Sequence, residues 1–442
     1  MTVKAEHANP ARARSRRALV AGSVGNFIEW YEFGVYGFLA TIIAANFFST
    51  DGGSDLEALI KTYASFALAF FFRPVGAALF GRIGDRIGRR PTLILVLLLM
   101  SGATTLIGVL PTYASIGIAA PILLTLVRIL QGLSAGGEFG GAVSVMTEFA
   151  PRGRRGLYGS WQSFTVALGL LAGAGISAIL ASTLSAEQPS DWGWRIPFLL
   201  ALPMGLIALW LRLKLEETPS FQRVEVAEHA VDQASTVAVV KPTAWEVTKA
   251  ILLGIGRLMG WSAAGYTFLV VIPSYLQSSL HATFQQALVA TVLANVGFAL
   301  TIIPAGALSD RIGRRPVMMV GTGLIVVLAW PLLNLLQDPN GSVAAKSVGV
   351  LIAGAVVGLI AGPGPAMLSE MFPTTVRYTG LGLAYSLSNA VFSGSAGLII
   401  TALISSTGDV DIPAYYVMIT CAISVVALST LRGKDHQREL RD

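Results

Sequence analysis

Two glutamates, Glu29 and Glu32, stand three residues apart in GNFIEWYEFGVYGF (residues 25–38), a stretch otherwise almost wholly apolar or aromatic. That spacing puts both carboxyls on one side of a helix, and Asn26, three residues earlier, extends the polar side. A carboxyl group taken out of water is held more readily as the neutral acid, and a second carboxyl nearby adds to the effect. A glutamate so placed can accept and release a proton near neutral pH. The other reading is that an arginine neutralises the pair and ties helices together.

Four further charges fall within long apolar runs: Arg73, Arg128, Glu138 and Arg257. A charge at membrane depth costs about 3 kcal/mol, so it faces a cavity or a partner. Arg128 keeps its proton and can hold a carboxylate by two parallel hydrogen bonds. It suits an anionic or zwitterionic ligand and could tune Glu32; a structural ion pair is the alternative. Glu138 lies ten residues beyond Arg128, about 15 Å along a helix, so the two cannot pair directly. It shares its depth with Arg73, and an Arg73–Glu138 structural ion pair is expected. Gly136, Gly137, Gly140 and Gly141 around it allow close helix contact. Arg257 either faces a central cavity as a second ligand anchor or snorkels toward the inner surface.

The elements that must position these groups are read from composition. The chain has 442 residues, of which 54% are hydrophobic and 13% charged, with a mean hydropathy of +0.66. A soluble chain carries about 25% charged residues. Apolar runs recur at 18–43, 57–81, 91–111, 117–148, 156–182, 193–213, 248–276, 284–308, 316–337, 345–368, 377–405 and 411–431. Each is about 20 residues or longer, enough to cross a bilayer as a helix. The sequence therefore predicts an all-α polytopic membrane protein of twelve transmembrane helices. Residues 1–17 form an N-terminal tail, 214–247 a linker between two halves (18–213 and 248–431), and 432–442 a C-terminal tail. The basic residues ahead of the first run resemble a signal peptide's charged region, but the run is too long and holds two glutamates, so it reads as an uncleaved helix.

Of the 31 Lys and Arg residues, 25 fall on one side if the N-terminus lies inside, and only Lys61, Arg195 and Lys346 on the other. That asymmetry predicts cytoplasmic termini. The halves repeat. GRIGDRIGRRP ending at Pro91 returns as GALSDRIGRRP ending at Pro316, an offset of 225. Glu148, Pro151 and Arg155 return as Glu370, Pro373 and Arg377, an offset of 222. Two six-helix bundles related by a pseudo-two-fold axis along the membrane normal follow. An offset of 225 also matches Arg257 with Glu32, which favours the cavity for Arg257. Asp85, Arg86 and Arg89 in the first repeated loop, and Asp310, Arg311 and Arg314 in the second, read as gates. A loop carboxylate can cap a neighbouring helix N-terminus and pair with arginines in one orientation of the cavity only.

The loop Gly81 to Arg90 and the Arg128, Gln131, Gly132 set resemble two signatures of the major facilitator superfamily. GNFIEWYEFGVYGF, FRPVGAALFGRIGDRIGRR (72–90), RILQGLSAGGEFGG (128–141), DWGWRIPF (191–198) and LEETPSF (215–221) resemble its metabolite:proton symporters. The resemblance implies proton-coupled carriage of proline and betaine, 2-oxoglutarate, citrate or shikimate, and a proton-relay role for Arg128. PSYLQSSLH (273–281) and IPAYYVM (412–418) are similar to the proline/betaine branch. Two positions depart from the pattern: Glu32, where relatives usually show Asp, and Arg257, where an apolar residue is expected. Osmosensing betaine carriers add a long C-terminal coiled coil. This sequence runs about ten residues past its last expected helix, so no osmosensory role is expected.

The resulting expectation is alternating access by a secondary transporter in the cell (inner or plasma) membrane, taking up a small carboxylate-bearing metabolite with a proton. Glu29, Glu32 and Arg128 couple the proton, and Arg128, Arg257, Asn26 and Tyr266 bind the substrate. Trp30, Tyr31, Tyr36, Tyr63, Trp161 and Tyr385 are further aromatics that either line the cavity or pack. Aromatic faces attract a quaternary ammonium. The rivals are an exporter of the same fold and a non-transporting membrane sensor. No enzyme motif is present, and the four histidines are scattered, so no metal site is expected. No cofactor beyond the coupling proton is expected, nor any nucleic-acid partner; the lipid bilayer and the small substrate are the partners, and the chain is expected to act as a monomer. Cys421, the single cysteine, reads as packing.

Overall fold

The computed structural model describes residues 10–49, 53–87, 89–148, 150–151, 153–185, 187–213, 243–372 and 374–431, without the side chains of 10–22, 81–82, 84–90, 93, 141, 144–145, 148 and 374–379. Each expected apolar run finds its helix, and no strand occurs among the described residues. The helices are α1 (Pro10–Phe38, continuing through Ala40–Ile43 and Ala44–Phe48), α2 (Asp55–Ile87), α3 (Arg89–Val109), α4 (Ala119–Ala135 and Phe139–Glu148), α5 (Arg155–Thr183) and α6 (Pro189–Leu213). The second half holds α7 (Ala244–Leu280), α8 (Phe284–Ile312), α9 (Arg314–Gln337), α10 (Val343–Ala361 and Gly364–Met371), α11 (Thr374–Ser388, continuing to Thr407) and α12 (Ile412–Ser429). Among the described residues nine are apolar helices long enough to span a membrane, and α1 is a tenth span bent by 63° after Phe38. The remaining two carry shorter apolar stretches, Ile94–Val109 and Ala119–Ala135.

Boundaries differ from expectation where local chemistry decides them. α7 begins at Ala244, four residues before the expected 248, because Thr243 and Glu246 form a capping box: Thr243 Oγ1 accepts from the Glu246 N–H (3.3 Å) and Glu246 Oε2 from the Thr243 N–H (2.9 Å). The rest of the expected linker, 214–242, lies outside the described residues. α4 and α10, each expected as one run, are both broken, at Gly136–Glu138 and at Gly362–Pro363. Arg195 of the DWGWRIPF block donates to the carbonyls of Gly108 (2.9 Å) and Leu110 (2.8 Å), closing the C-terminus of α3.

α2 and α4 cross in backbone contact. A side-chain carbon on Gly132 would meet the carbonyl of Ala69, and one on Gly136 the carbonyl of Arg73. This crossing fixes where Arg73 leaves its helix. Gly132→Val is expected to lower the melting temperature in detergent, since overpacking costs about 1–3 kcal/mol or more when backbone must move. Gly102→Val, where an added carbon meets nothing within 4 Å, is the control expected to melt with the parent protein.

The two halves meet along α5 with α8 and along α2 with α11. Near the middle of this seam, Ser163 of α5 donates to the carbonyl of Ala361 of α10 at 2.7 Å.

Candidate functional site

Glu29 and Glu32 leave α1 for different partners. Glu29 Oε1 lies 3.1 Å from Arg73 Nη2 of α2, and both side chains are 3% exposed, so this ion pair is dry. The Arg73 guanidinium is packed over the rings of Phe70 (4.2 Å), Phe33 (4.3 Å) and Trp30 (5.7 Å). Its Nε has no hydrogen-bond partner among the described residues. A single contact to one carboxylate oxygen leaves most of the guanidinium's five donors unused. A buried charge so lightly held sits near the balance point between desolvation and attraction.

Glu32 turns instead to α3, where Thr104 donates its hydroxyl to Oε2 at 2.6 Å. Thr104 Oγ1 accepts from Gln131 Nε2 (2.5 Å), and Gln131 Oε1 accepts from Arg128 Nη1 (2.5 Å). All four residues are fully buried. Arg128 thus reaches Glu32 through two neutral side chains, and its guanidinium lies over the faces of Tyr36 (4.1 Å), Phe33 (4.9 Å) and Phe66 (4.9 Å).

Between the halves lies a narrow cavity. Trp30, Trp261, Tyr266 and Tyr385 give it aromatic walls, and Ser163, Ser262, Asn389 and Ser393 its polar ones. Most of the polar groups satisfy one another: Ser393 donates to Asn389 Oδ1 (2.8 Å), and Ser262 bonds Ser388 (3.1 Å). Tyr266 is the exception, a buried hydroxyl without a partner among the described residues. Its ring touches Trp30 (5.9 Å) and Phe70 (5.3 Å), the same rings that carry Arg73.

Contacts between the halves stand at both ends of the molecule. At the end where α1 begins, Asp310 of α8 accepts from the N–H groups of Gly156 (2.7 Å) and Leu157 (2.9 Å), in the first turn of α5. These are free donors at the positive end of a helix. Arg314 donates to Asp310 Oδ1 (2.8 Å) and to Glu370 Oε1 (3.0 Å), which also lies 3.3 Å from Arg155 Nη1. Phe139 of α4 stacks on Tyr385 of α11 at 3.4 Å between ring centres. The opposite end is closed without charge, by Tyr63 on Ser274 (2.6 Å) and Thr41 on Gln277 (3.1 Å).

Several expectations are corrected by this geometry. Glu138 pairs with Arg212 of α6 and not with Arg73, which Glu29 takes. The break in α4 at Gly136–Glu138 and the α2–α4 contact at Arg73 send the two side chains different ways. Arg257 does not reach the cavity: Nη2 donates to Thr430 Oγ1 (2.8 Å) and Nε to the Ala427 carbonyl (3.4 Å), at the end of α12. Asn26 is held by α5, its amide donating to Thr165 Oγ1 (2.7 Å) and the Gln162 carbonyl (3.0 Å), and it is not among the cavity-lining residues. Arg128 is not among the cavity-lining residues, whereas Tyr266 is. Of the gate residues, Asp310 and Arg314 sit in the closing network and Arg311 is exposed; the side chains of Asp85, Arg86 and Arg89 lie outside the described set. Arg155 and Glu370 had no assigned role, although the repeat at offset 222 marked both. Thr104 carried no signal at all, and Gln131 only its place in a signature.

Residues 18–241 match the family described as sugar (and other) transporter, and residues 252–441 the family described as major facilitator superfamily. The proline/betaine transporter of Salmonella typhimurium (strain LT2) is 35% identical over 415 residues, covering 93% of this chain and 82% of that one. The glycine betaine/proline/ectoine/pipecolic acid transporter OusA of Dickeya dadantii (strain 3937) is 35% identical over 418 residues, with the same coverage of 93% and 82%. Among solved structures the proton:xylose symporter XylE, bound to a bromo-deoxyglucose, has a TM-score of 0.76 over 95% of each chain at 18% identity, a likeness of fold. With its twelve helices, its repeated loops and these matches, the chain belongs to the major facilitator superfamily, among the metabolite:proton symporters.

Proposed function

We propose that this carrier takes up a small zwitterion of the betaine and proline kind together with a proton, by alternating access across the plasma membrane, with both termini cytoplasmic. The observation that carries this reading is the dry Glu29–Arg73 pair, set directly behind the aromatic wall of the cavity. A proton on Glu29 removes the counter-charge of Arg73. The carboxylate of an entering zwitterion supplies a new one, assisted by the Tyr266 hydroxyl. The ammonium end then lies against the faces of Trp30, Trp261 and Tyr385. The names of the relatives, carriers of betaine, proline, ectoine and pipecolic acid, support the same class of substrate.

The Asp310–Arg314–Glu370–Arg155 network is the cytoplasmic gate in this scheme, formed when the cavity is closed to the inside. Asp310→Asn is expected to lower kcat about tenfold, the equivalent of ~1.4 kcal/mol, with KM within about twofold of the parent carrier.

Uptake of radiolabelled glycine betaine or proline by proteoliposomes with an alkaline interior tests the function. Accumulation that collapses when the pH gradient is dissipated supports the reading. Uptake indifferent to the gradient would sink the symport claim, and net export under the same gradient would reverse its direction.

A further inference from the structure

We infer that Thr104 and Gln131 are positioning residues that hold Glu32 as a second proton-accepting carboxyl, wired to Arg128 through neutral groups; this rests on the carrier being proton-coupled. A guanidinium only donates hydrogen bonds. Gln131 must therefore turn its oxygen to Arg128, which it does at 2.5 Å, and its NH2 toward Thr104. The Thr104 oxygen is then occupied as an acceptor, so its hydrogen is left for Glu32 Oε2 at 2.6 Å. The donor-only chemistry of one end thus dictates an acceptor at the other, and Oε2 is held as an accepting atom. Glu32 Oε1 has no hydrogen-bond partner among the described residues. A proton arriving on Oε1 leaves every link of the string in place, whereas a proton on Oε2 would force Thr104 to turn away.

The charged and titratable groups around Glu32 are consistent with a carboxyl free to titrate. Glu29 on α1 is engaged by Arg73 of α2, and Glu138 beside α4 by Arg212 of α6. Tyr31 on α1 donates to the Pro197 carbonyl (2.7 Å), and Ser101 of α3 stands beside Glu32. Among the described residues Arg128 reaches it through the string, and Tyr266 of α7 packs against Phe66 and Phe70. None of the described cations contacts Glu32 directly, so taking up a proton breaks no ion pair.

The experiment is the pH profile of initial glycine betaine uptake in proteoliposomes for the parent, Thr104→Val and Thr104→Ser. Valine keeps the shape and removes the hydroxyl; serine keeps the hydroxyl. Losing the bond to the carboxylate form is expected to move the half-maximal pH of uptake for Thr104→Val to the alkaline side, by about a tenfold change in proton concentration. Serine is expected to restore the parent profile. Should Thr104→Val not fold, Gln131→Met, which interrupts the same string one step away, is expected to move the profile the same way. A valine variant, or failing it a Gln131→Met variant, with the parent's pH profile overturns the inference, as does a serine variant no better than valine. If the parent itself shows no pH dependence, the proton-coupled reading fails first and this inference falls with it.

Discussion

Replacing Glu29 by glutamine is expected to abolish accumulation driven by a pH gradient, while exchange of labelled for unlabelled substrate at equal pH persists. Glutamine copies the shape and neutrality of the protonated acid, so Arg73 is left as it is in the loaded state. The expected split between accumulation and exchange follows from the energetics of the pair. A buried arginine stripped of the carboxylate paired with it costs about 3–5 kcal/mol. With Glu29 protonated and no substrate present, that cost falls on the carrier, which blocks a futile leak of protons. With Glu29 ionised, Arg73 is already held, which blocks uptake of substrate alone. In this scheme only the empty ion pair and the doubly loaded cavity leave the Arg73 charge paired, and only these two are expected to cross easily. In the glutamine variant the ion-paired empty state no longer exists, so the return step fails while the loaded step survives. Loss of net accumulation by about a hundredfold, ~2.7 kcal/mol, together with retained exchange is the pattern to look for in proteoliposomes. Full gradient-driven accumulation by the variant would remove Glu29 from the mechanism.

The second large effect is expected at Trp30. Its ring lines the cavity on one side and carries the Arg73 guanidinium at 5.7 Å on the other. A desolvated cation–π contact is worth about 2 kcal/mol, so Trp30→Ala is expected to raise KM for glycine betaine about thirtyfold. Proline keeps N–H donors that Ser262 or Asn389 can accept, so its KM is expected to rise less. Trp30→Phe retains an aromatic face and is expected to recover most of the betaine affinity. Measuring KM for the two substrates in the same preparation separates an ammonium-binding wall from general damage: an equal rise for both substrates, unrelieved by phenylalanine, would count against the wall.

The architecture was legible because lipid imposes it residue by residue. Each span carries its own apolar run, and the loops repeat at offsets of 225 and 222. The start of α7 was legible as well, in the Thr243-x-x-Glu246 pattern, though the apolar run alone suggested a later residue. Partner assignment was not legible. Depth along a helix suggested Arg73 with Glu138, but the direction in which a side chain leaves its helix decides the pair. That direction depends on Gly132 and Gly136 bringing two backbones together and on the break that follows. Arg257 was matched with Glu32 by numbering, yet the two offsets already differ by three, so a single offset cannot be carried into a helix interior. On its own helix Arg257 belongs to the part packed on α12, where Ser424 donates to its carbonyl at 3.0 Å. Thr104 is one threonine among many in an apolar run, and only the fold brings its hydroxyl to Glu32.

The most direct measurement is proton uptake on substrate binding. Purified carrier in lightly buffered detergent solution, at a pH where Glu29 is ionised, is mixed with glycine betaine while a pH indicator is read. If the substrate carboxylate displaces Glu29 from Arg73, binding and protonation are linked. The parent is then expected to take up about one proton per carrier, and Glu29→Gln none from that site. Substrate binding with no proton uptake, or with undiminished uptake in the glutamine variant, would contradict the exchange at Arg73.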